Sequence, residues 1–311
     1  MKIYDDWRGL PPAARNASVA LGNFDGVHLG HAAVLRAAHA ARPDAPRAVL
    51  TFEPHPREFF RPQDPPFRLT LAAERAAALE ALGVEILYQL PFNAGLSYLS
   101  AEAFITEILH EGIGAAHLAC GADFAFGHRR GGDVSLLAPR AEAHGMGLTI
   151  VPAVADAQGP ISATRIRRLL QDGYPERATA LLGRPHAIRG EVMHGDARGR
   201  TIGFPTANIP LGRHLEPGRG VYAVTSSIGG EMVNGVANIG LRPTVGGIES
   251  RLEAHFFDFT GDLYGQELTI ALHHFIREER KFESFDALKT QIGADATAAR
   301  ALLDAAPSKK P

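Results

Sequence analysis

At about Leu182-Gly183-Arg184-Pro185 the sequence changes its rhythm, and that change limits the chain to a fold of two architectures. Before it, short apolar runs alternate with helix-forming segments. After it, glycine, β-branched and aromatic residues rise, and helical patterning is absent until Ser284. Repeated βα units pack as a parallel sheet with helices on both faces. Closely spaced strands joined by short turns instead form a small antiparallel barrel or sandwich. The expected fold class is therefore α/β plus β, with a doubly wound parallel sheet over residues 1–182 and an antiparallel domain with a terminal helix over 183–311. A length of 311 residues favours two domains independently.

Bulk properties exclude several classes of function. A net charge of -2 argues against a polyanion partner such as duplex nucleic acid. No segment holds the ~20 consecutive apolar residues of a membrane helix, and Met1–Arg8 lacks the apolar core of a signal peptide. The single cysteine, Cys120, cannot pair within the chain, which suits a reducing cytoplasm. It sits in the apolar run His117–Cys120 and reads as a buried, inert thiol. No nucleic-acid or membrane partner is expected.

Strand-like runs in the first half are Ser18–Leu21, Ala48–Phe52, Val84–Leu90, Ala116–Cys120 and Leu148–Val151. Between them, Thr70 is placed to cap Leu71–Leu82, Ser100 to cap Ala101–Glu111, and Asp133 to cap a helix that Pro139 should kink or break. Ligands of parallel sheets bind beyond the carboxyl ends of the strands, so the post-strand loops matter most. The first reads Gly22-Asn23-Phe24-Asp25-Gly26-Val27-His28-Leu29-Gly30-His31, a glycine-rich turn at a helix start, where backbone N–H groups and the helix dipole favour an anion. The others are Glu53-Pro54-His55-Pro56, Gly121–Arg130 and Ile161–Arg168. Arg165 and Arg168 share a helix face in the last. Taken alone they read as solvated; beside a phosphate-cradling turn they would clamp a triphosphate.

These four loops resemble the N-terminal module of bacterial bifunctional riboflavin kinase/FAD synthetases, within the nucleotidyltransferase superfamily. The shared pattern is G-x-F-D-G-x-H-x-G-H, T-F-x-P-H-P, G-x-D/N-F-x-F-G and S-S-T-x-I-R, with Ala163 in place of the second serine of the last motif. The resemblance implies a Rossmann-like sheet that joins FMN to the α-phosphorus of ATP. It assigns the ATP site to Gly22, Asn23, Phe24, Asp25, Gly26, His28, His31, Asp123, Ser162, Thr164 and Arg165. His28, His31 and Arg165 would act in catalysis, and His55 and Asp64 would lie on the flavin side.

In the second half, strand-like segments fall at Ala187–Val192, Gly220–Ile228, Met232–Ile239, Arg251–Phe259 and Glu267–Phe275, with a hairpin turn at Gly229-Gly230. A C-terminal helical region follows Ser284, with Phe285, Leu288, Leu302 and Leu303 available for packing. In an extended segment Thr206 and Asn208 face one side and could jointly offer oxygens to Mg²⁺. Glu253 is a carboxylate in an otherwise apolar strand, a pattern that serves equally for an outward-facing residue. These stretches resemble the riboflavin kinase module of the same family, in the motifs Gly199–Asn208, Gly220-Val221-Tyr222, Asn238–Thr244 and Glu253-Ala254-His255. The resemblance implies a β-barrel kinase in which Glu253 is the general base and Thr206 and Asn208 bind Mg²⁺ and ATP phosphates. Gly199, Gly203 and Pro205 would complete the ATP site, and Asn238 and Arg242 would join Glu253 on flavin. The implied small molecules are riboflavin, FMN and ATP, with FMN and FAD as products; homo-oligomerisation is left open. A nucleotidyltransferase of other substrate would share the histidine signature but leaves the second half unexplained. A non-catalytic flavin binder, or a chain with kinase activity alone, is the rival that Ala163 favours.

Overall fold

A computed structural model describes residues 1–194, 206–244 and 247–305. Packing divides the chain into two compact units, one of Met1–Pro65 with Thr70–Ser162 and one of Pro66–Leu69 with Ala163–Pro311.

The first unit is built on β1 (Lys2–Tyr4), β2 (Ser18–Leu21), β3 (Arg47–Glu53), β4 (Ile86–Pro91), β5 (His117–Gly121) and β6 (Gly147–Val151). Their order is β1-β4-β3-β2-β5-β6, and every neighbouring pair is parallel. Alternate residues face opposite sides of such a sheet. Leu21, Leu50, Tyr88 and Leu118 pack with Ile105, Ile108 and Leu109 on one face. Ala20, Val49, Leu87 and Ala119 pack with Val34, Ala38 and Leu79 on the other. The parallel sheet expected from the rhythm is thus covered on both faces, with β1 as an edge strand that its charged surroundings hid. The strand order reverses at β2, which puts the ligand crevice beyond the carboxyl ends of β2 and β5. Gly22–His31 leaves β2 at that point and enters α1 (Leu29–Ala41). After β3 comes α2 (Pro56–Phe60), then α3 (Ala72–Ala81). A two-residue hairpin, β7 (Ala155–Asp156) with β8 (Gly159–Pro160), leads to Ser162.

Local expectations change in three places. Thr70 does not cap α3; the Leu71 amide donates to the Glu74 carboxylate at 2.6 Å, because Thr70 is engaged by Asp25. Ser100 caps as expected, its Oγ accepting the Ala103 amide at 3.1 Å, but the helix then widens into a π-helix over Phe104–Gly112. The helix Val134–Ala143 runs on through Pro139 without a break.

The second unit contains β9 (His186–Glu191), β10 (Ala207–Pro210), β11 (Gly220–Ile228), β12 (Glu231–Thr244), β13 (Gly247–Phe256) and β14 (Glu267–Glu278), in the order β10-β13-β12-β11-β14-β9. All pairs are antiparallel. The Met193 amide donates to the Asn208 carbonyl at 2.8 Å, which draws the two ends of the order together and makes the sheet a nearly closed barrel. Ile188, Ile209, Tyr222, Val224, Ile239, Leu252 and Ile270 fill its interior. Gly229 and Gly230 have φ of 61° and 88°, the conformation of a type I′ hairpin turn.

Ser284 Oγ accepts the Ala287 amide at 3.1 Å at the start of the terminal helix, Phe285–Ala305. Ala296, Ala299 and Leu303 lie against Val221, Ala223 and Val236 on the outside of the barrel. Phe285 and Leu302 do not pack as expected and are 55% and 36% exposed. The helical period puts 296, 299 and 303 on one face, and two alanines there let the helix approach closely. The helices Ala163–Gln171 and Pro175–Leu182 pack with this unit, for example through the Gly218 amide on the Leu170 carbonyl at 2.9 Å.

Candidate active sites

The turn after β2 holds an unusual backbone. Phe24, Gly26 and Val27 have φ of 51°, 80° and 43°. Positive φ is rare for a residue with a side chain and rarest for a β-branched one, so each such residue stores roughly 1–3 kcal/mol that its surroundings must offset. Here the surroundings are specific. Phe24 is buried in the core. Asp25 Oδ1 accepts the Thr70 amide at 3.0 Å and the Thr70 hydroxyl at 3.4 Å, while Thr70 Oγ1 accepts the Gly26 amide at 2.9 Å. The Asn23 carbonyl accepts Thr51 Oγ1 at 3.1 Å and Arg75 Nη1 at 3.4 Å.

Arg75 is fully buried. Its Nη2 also reaches the Phe52 carbonyl at 3.2 Å, Glu53 Oε2 at 2.9 Å and Gln89 Oε1 at 3.0 Å. One guanidinium therefore ties together the carboxyl ends of β2, β3 and β4. No sequence pattern pointed to it, since an arginine in the helix Leu71–Leu82 reads as solvated.

His28 is the N-cap of α1. Its Nδ1 accepts the His31 amide at 3.3 Å, and His31 Nδ1 accepts the His28 amide at 3.3 Å. The rings stack with centroids 3.6 Å apart. With both Nδ1 atoms accepting, the proton of each neutral ring sits on Nε2. The pair stands at a helix N-terminus, where backbone N–H groups and the helix dipole favour an anion. The loop after β6 comes to the same place: a Cβ on Gly30 would lie 3.4 Å from the Ile161 carbonyl oxygen, and Ser162 follows directly.

The remaining first-unit residues are distributed as follows. Asp123 is exposed in the turn after β5. His55 caps α2, its Nδ1 accepting the Arg57 amide at 3.1 Å. Asp64 pairs with Arg57, whose Nη2 is 2.9 Å from its carboxylate. Both residues thus have local structural work. Beside them stands an aromatic cluster not anticipated from the sequence: Phe59, Phe60 and Phe92 meet edge-on at 5.2–5.7 Å, and Phe60 is 62% exposed. The adjacent pair Phe59-Phe60 in a post-strand loop was the available signal. Thr164 and Arg165 open the helix Ala163–Gln171, which packing counts with the second unit. Cys120 is buried, and burial followed by the nearby Asp123 charge pushes its thiol up to about 11. It is inert, as expected.

In the barrel, strand register makes the site. Glu253 of β13 is paired with Asn208 of β10 on one side and Asn238 of β12 on the other. Directly paired residues of antiparallel strands point to the same face, and flanking Ala207, Ala237, Leu252 and Ala254 belong to the interior. The three polar side chains therefore form a row on the outer face. Arg242 holds the Glu253 carboxylate bidentately, with Nε to Oε1 at 2.6 Å and Nη2 to Oε2 at 2.8 Å. The Glu253 side chain is 18% exposed. Asn208 is buried, and its Nδ2 donates to the Thr206 carbonyl at 3.3 Å. Thr206 also lines a cleft with Phe256, Phe259, Asp262 and Tyr264. Gly199, Gly203 and Pro205 lie outside the described residues.

Comparison with known proteins agrees with this division. The family model for FAD synthetase matches residues 10–165 and that for riboflavin kinase matches 182–303. The chain is 43% identical to a bifunctional riboflavin kinase/FMN adenylyltransferase of Pseudomonas fluorescens, covering 99% of both. It is 41% identical to the Escherichia coli K12 protein of that name, covering 96% of this chain and 97% of the other. The Bacillus subtilis protein is 39% identical, with 89% of each covered. A crystal structure described as a macrolide-efflux protein from Streptococcus pneumoniae superposes with a TM-score of 0.85 and 36% identity, over 96% of this chain and 98% of that one. Among the described residues no helix is long and apolar enough to cross a membrane. The chain belongs to the bifunctional riboflavin kinase/FMN adenylyltransferases, transferases that phosphorylate riboflavin to FMN with ATP and then adenylylate FMN to FAD.

Proposed function

We propose that each reaction has its own site, adenylyl transfer at the carboxyl edge of the parallel sheet and phosphorylation at Glu253 on the barrel, with 1–182 and 183–311 as the functional domains. The row Asn208–Glu253–Asn238 carries this reading, because it sets one carboxylate between two amides on a face that is otherwise the outside of a barrel. Glu253 takes the proton of the riboflavin 5′-hydroxyl as that oxygen bonds to the γ-phosphorus of ATP. The bond from phosphorus to the β–γ bridging oxygen breaks, and ADP leaves. Such a base needs position more than unusual basicity, since the proton leaves only as the new bond forms. Arg242 supplies position by fixing both carboxylate oxygens, and with Asn238 it faces the flavin polyol.

Among the described residues no group of three or more His, Cys, Asp or Glu side chains is arranged to hold a metal. A Mg²⁺ held jointly by substrate phosphates and one or two protein oxygens fits better. The Asn208 amide suits it, since Nδ2 is spent on the Thr206 carbonyl and Oδ1 remains as an oxygen ligand. When bound, the ion would neutralise phosphate charge. The aromatic cleft next to Thr206 takes the nucleoside of ATP, with Gly199, Gly203 and Pro205 assigned to the same nucleotide by family pattern.

At the first site a phosphate oxygen of FMN attacks the α-phosphorus of ATP, and pyrophosphate departs. The Nε2–H groups of His28 and His31 and the turn Gly22–Gly26 follow the charge gathering on the leaving group. By family pattern Ser162, Thr164 and Arg165 are assigned to the ATP phosphates, and Asp123 orients substrate. Phe59, Phe60 and Phe92 offer an exposed stacking surface for the flavin ring beside His55 and Asp64. A single cysteine, buried and unpaired, favours the cytoplasm. The test is to incubate the protein with riboflavin, ATP and Mg²⁺ and separate riboflavin, FMN and FAD over time. FMN then FAD is the expected order; FMN alone would remove the first site from the reading.

A further inference from the structure

Besides Glu253, a carboxylate outside the motifs reaches the polar row on the outer face of the barrel. Strand β14 ends against the terminal helix, where Asp295 grips Arg277: Arg277 Nη2 is 2.7 Å from Oδ2 and Nε is 3.0 Å from Oδ1. Gln291 Nε2 supports the same carboxylate at 2.7 Å, and Arg277 Nη1 donates to the Glu278 carbonyl at 2.9 Å. The chain is thus fixed up to Glu278. Gly220 of β11 is paired with Glu278 on one side and Ile239 on the other, so no side chain stands between the end of β14 and β12. Glu279 reaches across, and its Oε1 accepts Asn238 Nδ2 at 3.3 Å. Its carboxylate also lies over Gly240, where an added Cβ would come within 2.8 Å of Glu279 Cδ.

An amide whose Nδ2 is committed to a carboxylate has a fixed flip, and its Oδ1 becomes the atom left to accept a hydrogen bond. Asn238 is the direct cross-strand neighbour of Glu253, so that oxygen belongs to the row where a polyol hydroxyl must be placed for the base. We infer that Glu279 is a positioning residue of the kinase reaction. It holds Asn238 in the orientation that receives a ribityl hydroxyl of riboflavin, and Gly240 lacks a side chain so that the carboxylate can lie there. The inference rests on Glu253 being the base.

Steady-state phosphorylation of riboflavin tests it in E279A, E279Q, G240A, N238A, the N238A/E279A double variant and E253Q. Glu279→Ala should lower kcat/KM for riboflavin about tenfold, the value of one hydrogen bond of ordinary net strength, while KM for ATP and the rate of FMN-to-FAD conversion stay unchanged. Glu279→Gln should recover most of the loss, because its amide oxygen still accepts from Asn238. Gly240→Ala, which keeps Glu279 but evicts it, should reproduce the Glu279→Ala values. The double variant should be no worse than Asn238→Ala alone. Wild-type riboflavin kinetics in Glu279→Ala, a Glu279→Gln variant as poor as Glu279→Ala, or additive losses in the double variant would each overturn it. Glu253→Gln separates the two readings: if it retains kinase activity the base assignment fails, and if it is inactive while Glu279→Ala is normal only the positioning role fails.

Discussion

The two units assemble phosphate chemistry in opposite ways. In the first, the proposed site centres on ten consecutive residues, Gly22–His31, shaped by a strained turn and a helix start. In the second, the proposed site is drawn from three strands, and Asn208, Glu253 and Asn238 meet only through register. A site of the first kind needs support from beneath, which Thr70 and buried Arg75 provide. A site of the second kind inherits rigidity from the barrel and needs only that side chains be oriented, which Arg242 and Glu279 provide.

Glu253→Gln separates the two sites most directly. Removing a positioned general base costs about 10²–10⁴-fold. FMN formation from riboflavin should fall by that amount while added FMN is still converted to FAD. Loss of both activities in a folded protein would show that the sites are not assigned one per unit.

The converse change must separate cap from catalyst, since His28 and His31 cap each other as well as carrying the proposed catalytic role. Replacement of both by alanine should cut FAD formation by about 10²–10³-fold, as for loss of charge-stabilising donors, and spare the kinase. His28→Asn is the finer variant. Asparagine is a good N-cap but lacks the distal N–H, so the melting temperature should hold while FAD formation falls. A parallel fall in both would make His28 a cap alone.

How far the sequence revealed each site follows from the same contrast. The turn Gly22–His31 was legible because glycine spacing, the strand before it and the helix after it are all local. The doubly wound sheet and the barrel were legible from the change of rhythm near residue 182. The members of the row around Glu253 came only through resemblance, because pattern alone left its carboxylate equally an outward-facing residue; a register between strands 45 residues apart, as Asn208 and Glu253 are, has no local signature. Thr70 was misplaced for a related reason. Its position before a helix predicts a cap, but Asp25 is a stronger partner than the first turn of α3. Arg75 and Glu279 were invisible, since a charged residue in a helix or at a strand end reads as solvated until the fold brings it a partner.

Arg75 is where the first unit should prove more fragile than the second. Arg75→Ala leaves two carbonyls, Glu53 and Gln89 without the guanidinium. Losing one partner of a buried pair costs about 3–5 kcal/mol, and because the Glu53 side chain is 31% exposed and can turn to water, the low end applies. Trp7 is the chain's single tryptophan and lies in the first unit, so its fluorescence follows that unit alone. The urea midpoint read by Trp7 should drop clearly in Arg75→Ala. An unchanged midpoint would mean that the turn is held without Arg75.

The single cysteine gives the mildest test and needs no substitution. Cys120 lies in β5 among the first-unit core, with its thiol raised to about 11 chiefly by burial. An ordinary thiol near 8.5 is roughly one-quarter thiolate at pH 8, whereas one at 11 is about a thousandth. Alkylation at pH 8 should therefore be at least about 100-fold slower in the folded protein than in urea, and slower still because the sulfur is enclosed. The residual rate then reports opening of the parallel sheet. FAD, the product of that unit, should slow it further by stabilising the closed form. An unchanged rate with FAD bound would show that the sulfur is reached without opening of that unit.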